Sequence, residues 1–200
     1  MIKHLDYRYD YNMKIAPGDK PEGMPYPLDK VKEFLRVTGT DQDGVITRMI
    51  NAAADIIERE TWFVFGSRSY VGYFDEFPPE AIFHKYPVST VSSVTYYDTD
   101  NAQQTLATSS YWTDLTSDHA RIYFENAPNV YDNRYDQVQI NFTAGHANWY
   151  DYPDEYVQLL MLVVYDLYEN RTTNTMGSNS ETHSAVVKHL MSGLSKRIPI

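Results

Sequence analysis

No cysteine occurs among the 200 residues of the chain. That absence removes disulfide frameworks, thiolate zinc sites and cysteine nucleophiles together. Long apolar runs are missing too: the longest, Leu159 to Tyr165, has seven residues, against the roughly 18 that a membrane-spanning helix needs. Positive charge is scarce. Lysine plus arginine is 17 against 27 for aspartate plus glutamate, a formal charge of −10, and a chain of that sign is poorly suited to gripping a phosphate backbone. Met1 to Tyr11 is charged and tyrosine-rich where a secretory leader would be apolar. Gly-x-x-x-x-Gly-Lys-Ser/Thr, Gly-x-Gly-x-x-Gly and Gly-x-Ser-x-Gly are all absent, so neither a phosphate-cradling loop nor a nucleophile elbow is encoded. What is present is 42% hydrophobic and 14% aromatic residues, enough to bury a core. Composition predicts a soluble protein of intracellular origin, with no membrane partner and no specific grip on nucleic acid.

The pattern along the chain divides it into parts. Residues 1–27 carry Tyr7, Tyr9, Tyr11, Tyr26 and four prolines without an apolar period; they read as an extended arm that lies on another surface or moves. Residues 28–61 read as the first half of a helical core. Val31, Phe34 and Leu35 share one face of a short helix, and Val45, Ile46, Met49, Ile50, Ala53 and Ile57 form the stripe of a longer one. Thr40 and Asp43 stand at capping-box spacing before it. From Trp62 the period changes to two. Trp62–Phe65, Ser69–Phe74, Ala81–Phe83, Val91–Tyr97, Tyr111–Leu115, Arg121–Phe124 and Gln137–Thr143 are short, β-branched and aromatic. This β segment, 62–145, holds four basic and ten acidic residues and so supplies −6 of the −10.

Residues 146–195 return to helical spacing. Val157, Leu160, Met161, Val164 and Tyr168 make a stripe, and Leu159, Leu162 and Val163 cover much of the remaining circumference, so this helix must be buried on most sides. A last helix carries Val186, Val187, Leu190, Met191 and Leu194, and residues 196–200 form a basic tail. The expected fold is α+β: a small helical bundle of about four helices with an inserted antiparallel β-sheet or small sandwich.

Candidate chemistry is thin. The six histidines show no metal-helix spacing, so solvated or locally bonded imidazoles explain them best. Asp41-Gln-Asp-Gly44 opens like a calcium loop, but position 52 is alanine where the closing glutamate belongs. Asp98–Asn101 reads as a hairpin turn before a cation site. Asp75, Glu76 and Glu80 are the densest acidic group near aromatics, a solvated loop more readily than a glycosidase pair. The 18 tyrosines divide between sheet packing and contact surface. No cofactor and no metal are expected.

An ordered set of segments does carry a resemblance. Pro27–Val37, Asp41–Ala53, Val91-Ser-Ser-Val-Thr-Tyr-Tyr-Asp98, Phe142-Thr-Ala-Gly145, and Pro153 through Leu160 to Tyr168-Glu-Asn-Arg171 together resemble phage head–tail connector, or head-completion adaptor, proteins. Residues 1–26 depart from that pattern. The resemblance implies a non-enzymatic virion protein of the neck, assembled in the host cytoplasm. It would form a ring, typically a dodecamer, under the portal protein, extend the DNA channel without binding DNA specifically, and offer a platform to the next neck or tail-completion protein. It implies a portal-binding tail at Lys196, Arg197, Ile198, Pro199 and Ile200. A subunit interface is expected at Leu159, Leu162, Val163 and Tyr165, and tail-side loops at Asp98, Asp100, Asn101, Asp118 and His119. Two rivals stay open: a carbohydrate- or host-binding virion module, and, more weakly, a hydrolytic enzyme, which requires Asp75, Glu76 or Glu80 to titrate abnormally high.

Overall fold

Pro27, held at φ −60°, precedes the first helix, α1 (Leu28–Leu35). The helix stops where Arg36 turns left-handed at φ 56° and the Val37 N–H returns to the Lys32 carbonyl at 3.0 Å, which satisfies carbonyls that the last turn would otherwise leave open. These elements come from a computed structural model that describes residues 13–17, 23–117, 119–131, 134–169 and 185–195. The second helix, α2 (Asp43–Thr61), starts without the expected capping box, for no side chain caps its first residue. Asp43 instead meets the Lys32 ammonium at 2.6 Å. Its carboxylate, one carbon shorter than the usual glutamate, is engaged by a full charge on α1 rather than by a backbone N–H.

Helices α3 (Asp154–Glu169) and α4 (Ala185–Leu194) follow the β segment. Val31, Ile46, Ile50, Ala53, Ile57, Leu159, Leu160, Val163 and Val164 are fully buried in one cluster that Val187 and Met191 of α4 complete. Each of the valine, leucine and isoleucine side chains contributes on the order of 2 kcal/mol of burial. Two of the expected interface residues are thereby corrected: Leu159 and Val163 are spent inside this chain's own core and present nothing to a neighbour. The encircling apolar pattern of α3 arises because α1, α2 and α4 all pack against it.

The β segment builds two antiparallel sheets. Five strands lie in the order β1 (Lys14–Pro17), β2 (Arg68–Phe74), β8 (Val138–Ala144), β4 (Val88–Tyr97), β5 (Gln103–Thr105). Three more are ordered β3 (Glu80–Ile82), β7 (Arg121–Phe124), β6 (Tyr111–Asp114). Tyr70, Phe74, Val94, Ile140 and Phe142 from the first sheet meet Ala81, Ile122 and Phe124 from the second in a separate apolar cluster. The alternation of β8, buried at Val138, Ile140, Phe142 and Ala144 and half-buried between, is the period-two signature of a sheet with one covered face. Part of the expected arm belongs here, since Lys14–Pro17 pairs with Tyr70–Tyr73 as an edge strand.

The segment Trp62–Phe65 is not a strand. It makes one parallel bridge, Phe63 to Tyr86. Phe63 and Phe65 enter the helical cluster while Val64 between them enters the β cluster. The alternation is real, but the two faces are two cores, and this segment is the seam between them.

Candidate functional site

At the seam, the α2 residue Glu58 accepts a hydrogen bond from the Phe65 N–H at 2.9 Å and is ion-paired with Arg68 at the head of β2. Both side chains are about nine-tenths buried, 11% and 8% exposed. Burial pushes the Glu58 carboxyl above the usual glutamate range, opposed by the Arg68 guanidinium and the Phe65 N–H. Burial likewise raises the Tyr70 hydroxyl. A cavity of about 250 Å³ opens beside the pair, with Met24, Asn51, Asp55 and Phe65 on its walls. A carboxylate neutralised by its own arginine is equipped to hold two layers together rather than to move a substrate proton.

Asp75, the residue on which a hydrolytic reading leaned, is arranged in the opposite sense. The Asp136 N–H donates to it at 2.9 Å and Lys14 sits 3.4 Å away, which together hold its carboxyl below the ordinary range. Glu80 is 3.1 Å from Arg121. His84 stacks on Trp62 at 4.4 Å, and His146 is half-buried against Phe63 and Tyr152 with its imidazole pushed down chiefly by burial. Among the described residues no three histidine, aspartate or glutamate side chains converge as metal ligands.

The predicted tail-side loops are organised turns. The Asp98 carboxylate accepts from the backbone N–H groups of Ala102 and Asp100, each at 3.0 Å, and from the Gln104 amide at 2.7 Å. Those bonds, Ala102 first, keep its pKa low. Asn101 stands at φ 58° and accepts from Arg134, whose guanidinium lies 3.5 Å over the Tyr97 ring. Asp100 is exposed beside it. His119 is exposed in the β6–β7 turn, which Asp114 braces through Ser117 and Thr116. The two turns are not brought together. His119 lies past the Arg121 end of β7, whereas Phe77 ties the Phe124 end of β7 to Tyr96 near the 98–101 turn. Asp118 and the tail residues Lys196, Arg197, Ile198, Pro199 and Ile200 lie outside the described residues. Of the predicted interface, Leu162 is half-buried against the helical cluster and Tyr165 remains exposed, edge-on to Phe34 at 6.4 Å.

Sequence reasoning missed the outer face of the three-stranded sheet. Trp112 and Tyr123 are directly opposed across β6 and β7 and are 67% and 50% exposed. The Trp112 indole N–H donates to Glu125 at 3.2 Å, and Arg121 bridges Glu80 and Asp114 alongside. The signal was available in strand parity: Ile122 and Phe124 point inward, so Tyr123 between them points out.

Residues 26–117 match the family of phage gp6-like head–tail connector proteins. Among solved structures, the neck of an empty gene transfer agent (GTA) particle, computed with C6 symmetry, contains a chain of 21% identity at a TM-score of 0.76. The match covers 94% of this chain and 98% of that one. The virion of a native GTA particle gives 20% identity and 0.75, and the neck of a native GTA particle with C12 symmetry gives 19% and 0.73, over the same shares of each chain. No curated protein matches the chain. A connector sequence pattern thus runs from before α1 to just past the end of β6, on a fold shared over nearly its whole length with chains of GTA particles.

Proposed function

We propose that the chain is a non-enzymatic adaptor that assembles into a ring, of twelve copies, between the portal protein and the next neck or tail-completion protein. The carrying observation is the connector match over residues 26–117, which spans α1, α2 and strands β2 to β6 in one order. Charge supports the reading. A formal −10 on each copy lines a DNA channel with repulsion and suppresses the counterion-releasing contacts that make proteins stick to a phosphate backbone. On this reading Lys196, Arg197, Ile198, Pro199 and Ile200 dock on the portal, since they form a basic, apolar-ended tail on an acidic chain. Asp98, Asp100, Asn101, Asp118 and His119 face the tail, and assembly takes place in the host cytoplasm.

The test is deletion of the gene from its parent particle, followed by electron microscopy. Emptied heads without tails, beside free complete tails, are the expected result, and restoring the full chain should rejoin them. Intact tailed particles would overturn the proposal. Truncation after Ser195, which keeps the Leu194 and Ser195 bonds to Tyr156 and Glu60, should keep the chain folded and abolish portal docking. The exposed Trp112–Tyr123 pair favours one second reading, a carbohydrate-binding face, because flat aromatic pairs bordered by carboxylates suit sugar rings. Quenching of tryptophan fluorescence by host glycans, lost in Trp112→Ala, would bring that reading forward.

A further inference from the structure

Strand pairing sets out the outer face of the three-stranded sheet in two rows. Glu80, Tyr123 and Trp112 stand side by side across β3, β7 and β6, and Ile82, Arg121 and Asp114 form the next row. Glu125, two residues beyond Tyr123, closes the Trp112 end by accepting the indole N–H at 3.2 Å. The face thus holds three carboxylates and one cation. Arg121 lies 3.1 Å from Glu80 and 3.4 Å from Asp114, so its charge is shared between those two. Among the described residues Glu125 has no basic partner, and no cation lies over the two-thirds-exposed Trp112 ring.

The same layer contains a filled version of this arrangement. The Arg134 guanidinium lies 3.5 Å over the Tyr97 ring and donates to the Asn101 side-chain oxygen at 3.4 Å. A ring face beneath and an oxygen acceptor at the side hold a planar cation by its face and its edge at once. Trp112 and Glu125 repeat the pattern with stronger partners. An indole attracts a cation better than a phenol does, and a carboxylate is a stronger acceptor than an amide. The bond to Glu125 also fixes the indole in place, which lowers the cost of ordering it when a group stacks there.

We infer that the Trp112–Glu125 corner receives an arginine side chain of a different virion protein. The guanidinium stacks on the indole and donates from its edge to Glu125. A second copy of this chain is the poorer partner, because each copy brings a formal −10 to a face that already has excess negative charge. A sugar is poorer too, since the indole N–H and the Arg121 guanidinium are already engaged by carboxylates. The inference rests on the adaptor reading and gives the β layer a partner of definite chemistry.

The test uses the full chain in assembling particles. Tyr123→p-benzoylphenylalanine and, in a second chain, Ile82→p-benzoylphenylalanine place a photoreactive group on this face without touching the corner itself. Each is supplied in place of the native gene, and completed particles are irradiated, digested and read by mass spectrometry. The expected product joins this chain to an arginine-containing peptide of another virion protein. Adding Glu125→Gln or Trp112→Leu to the photoreactive chain, or changing that arginine to alanine, should lower its yield about tenfold. Undiminished yield in these variants overturns the inference. So does a product with a second copy, with a glycan or with an arginine-free peptide, or no product from tailed particles that contain either chain; all of these leave the adaptor reading intact. Complete particles that lack the chain altogether overturn both.

Discussion

The helical layer and the β layer treat their carboxylates in opposite ways. In the helical cluster the central rings are buried, as with Phe63 stacked on Tyr156 at 3.9 Å, while Phe34 and Tyr165 are exposed at its rim, and the seam carboxylate Glu58 is nine-tenths buried beside its arginine. On the sheets, Trp112, Tyr123 and Tyr135 stand in solvent, and the carboxylates Asp75, Asp98 and Asp114 are half-exposed and ringed by donors. One layer uses its chemistry to stay closed. The other holds its surface groups in fixed positions, which lowers the entropic cost when something docks there.

That contrast can be broken first at the seam. Glu58→Ala leaves a buried guanidinium and the Phe65 N–H without their acceptor and should cost about 3–5 kcal/mol in urea denaturation. Replacing Glu58 and Arg68 together by methionine should recover most of the loss, since the pair gains little over apolar packing. A cost below about 1 kcal/mol for Glu58→Ala would show that the seam is open to water. Phe63→Ala belongs to the same size class, about 3–5 kcal/mol, from the cavity it opens in the helical cluster.

Gly145 sharpens the comparison from the β side. It sits at φ 95°, and a Cβ there would collide with the Gly66 carbonyl oxygen. Gly145→Ala should lower stability by about 2–3 kcal/mol, read as a drop in melting temperature.

Acidity distinguishes the two layers by sign. Glu58 holds its proton to higher pH in the folded chain than in the unfolded one. Between its ordinary value and the raised one the folded state binds more protons, so its contribution to stability is lost as pH rises. Asp75, Asp98 and Asp114 are shifted downward, so theirs is present above 3.8 and lost as pH falls below it. Urea midpoints followed from pH 3 to 7 should therefore bend in both directions, and Glu58→Gln should flatten the upper limb alone. The smallest effect belongs to Trp112→Ala. It should change stability by less than about 0.5 kcal/mol, because the ring is two-thirds exposed; a larger loss of stability would mean that the ring is part of the β core.

Much of this architecture was legible from periodicity. Among the described residues, the four helices and six of the strands follow the apolar spacing, because each has one face against a core. The exceptions have physical causes. Gln103–Thr105 forms β5 with all three side chains exposed, so it carries no apolar signal. Lys14–Pro17 is an edge strand on which proline is tolerated, which made it look like arm. Trp62–Phe65 alternates between two cores rather than between core and solvent, and a single sequence cannot tell those apart. The candidate surfaces were harder to see. Leu162 and Tyr165 were separable from Leu159 and Val163 only once the positions of α1, α2 and α4 around α3 were known. Trp112 was hidden inside a strand assignment that treated all aromatics as packing.

The sheet edges have a consequence for crowding. One edge of the five-stranded sheet is β1, four residues long and ending on Pro17, which has no N–H to offer; the other is β5, three residues of glutamine and threonine. Among the described residues, edges this short, one closed by proline and the other polar throughout, are poor templates for adding a strand from another molecule. Copies held shoulder to shoulder would therefore recognise each other through side chains, in a register fixed by shape and charge. They would not zip together through their backbones into an open-ended fibre.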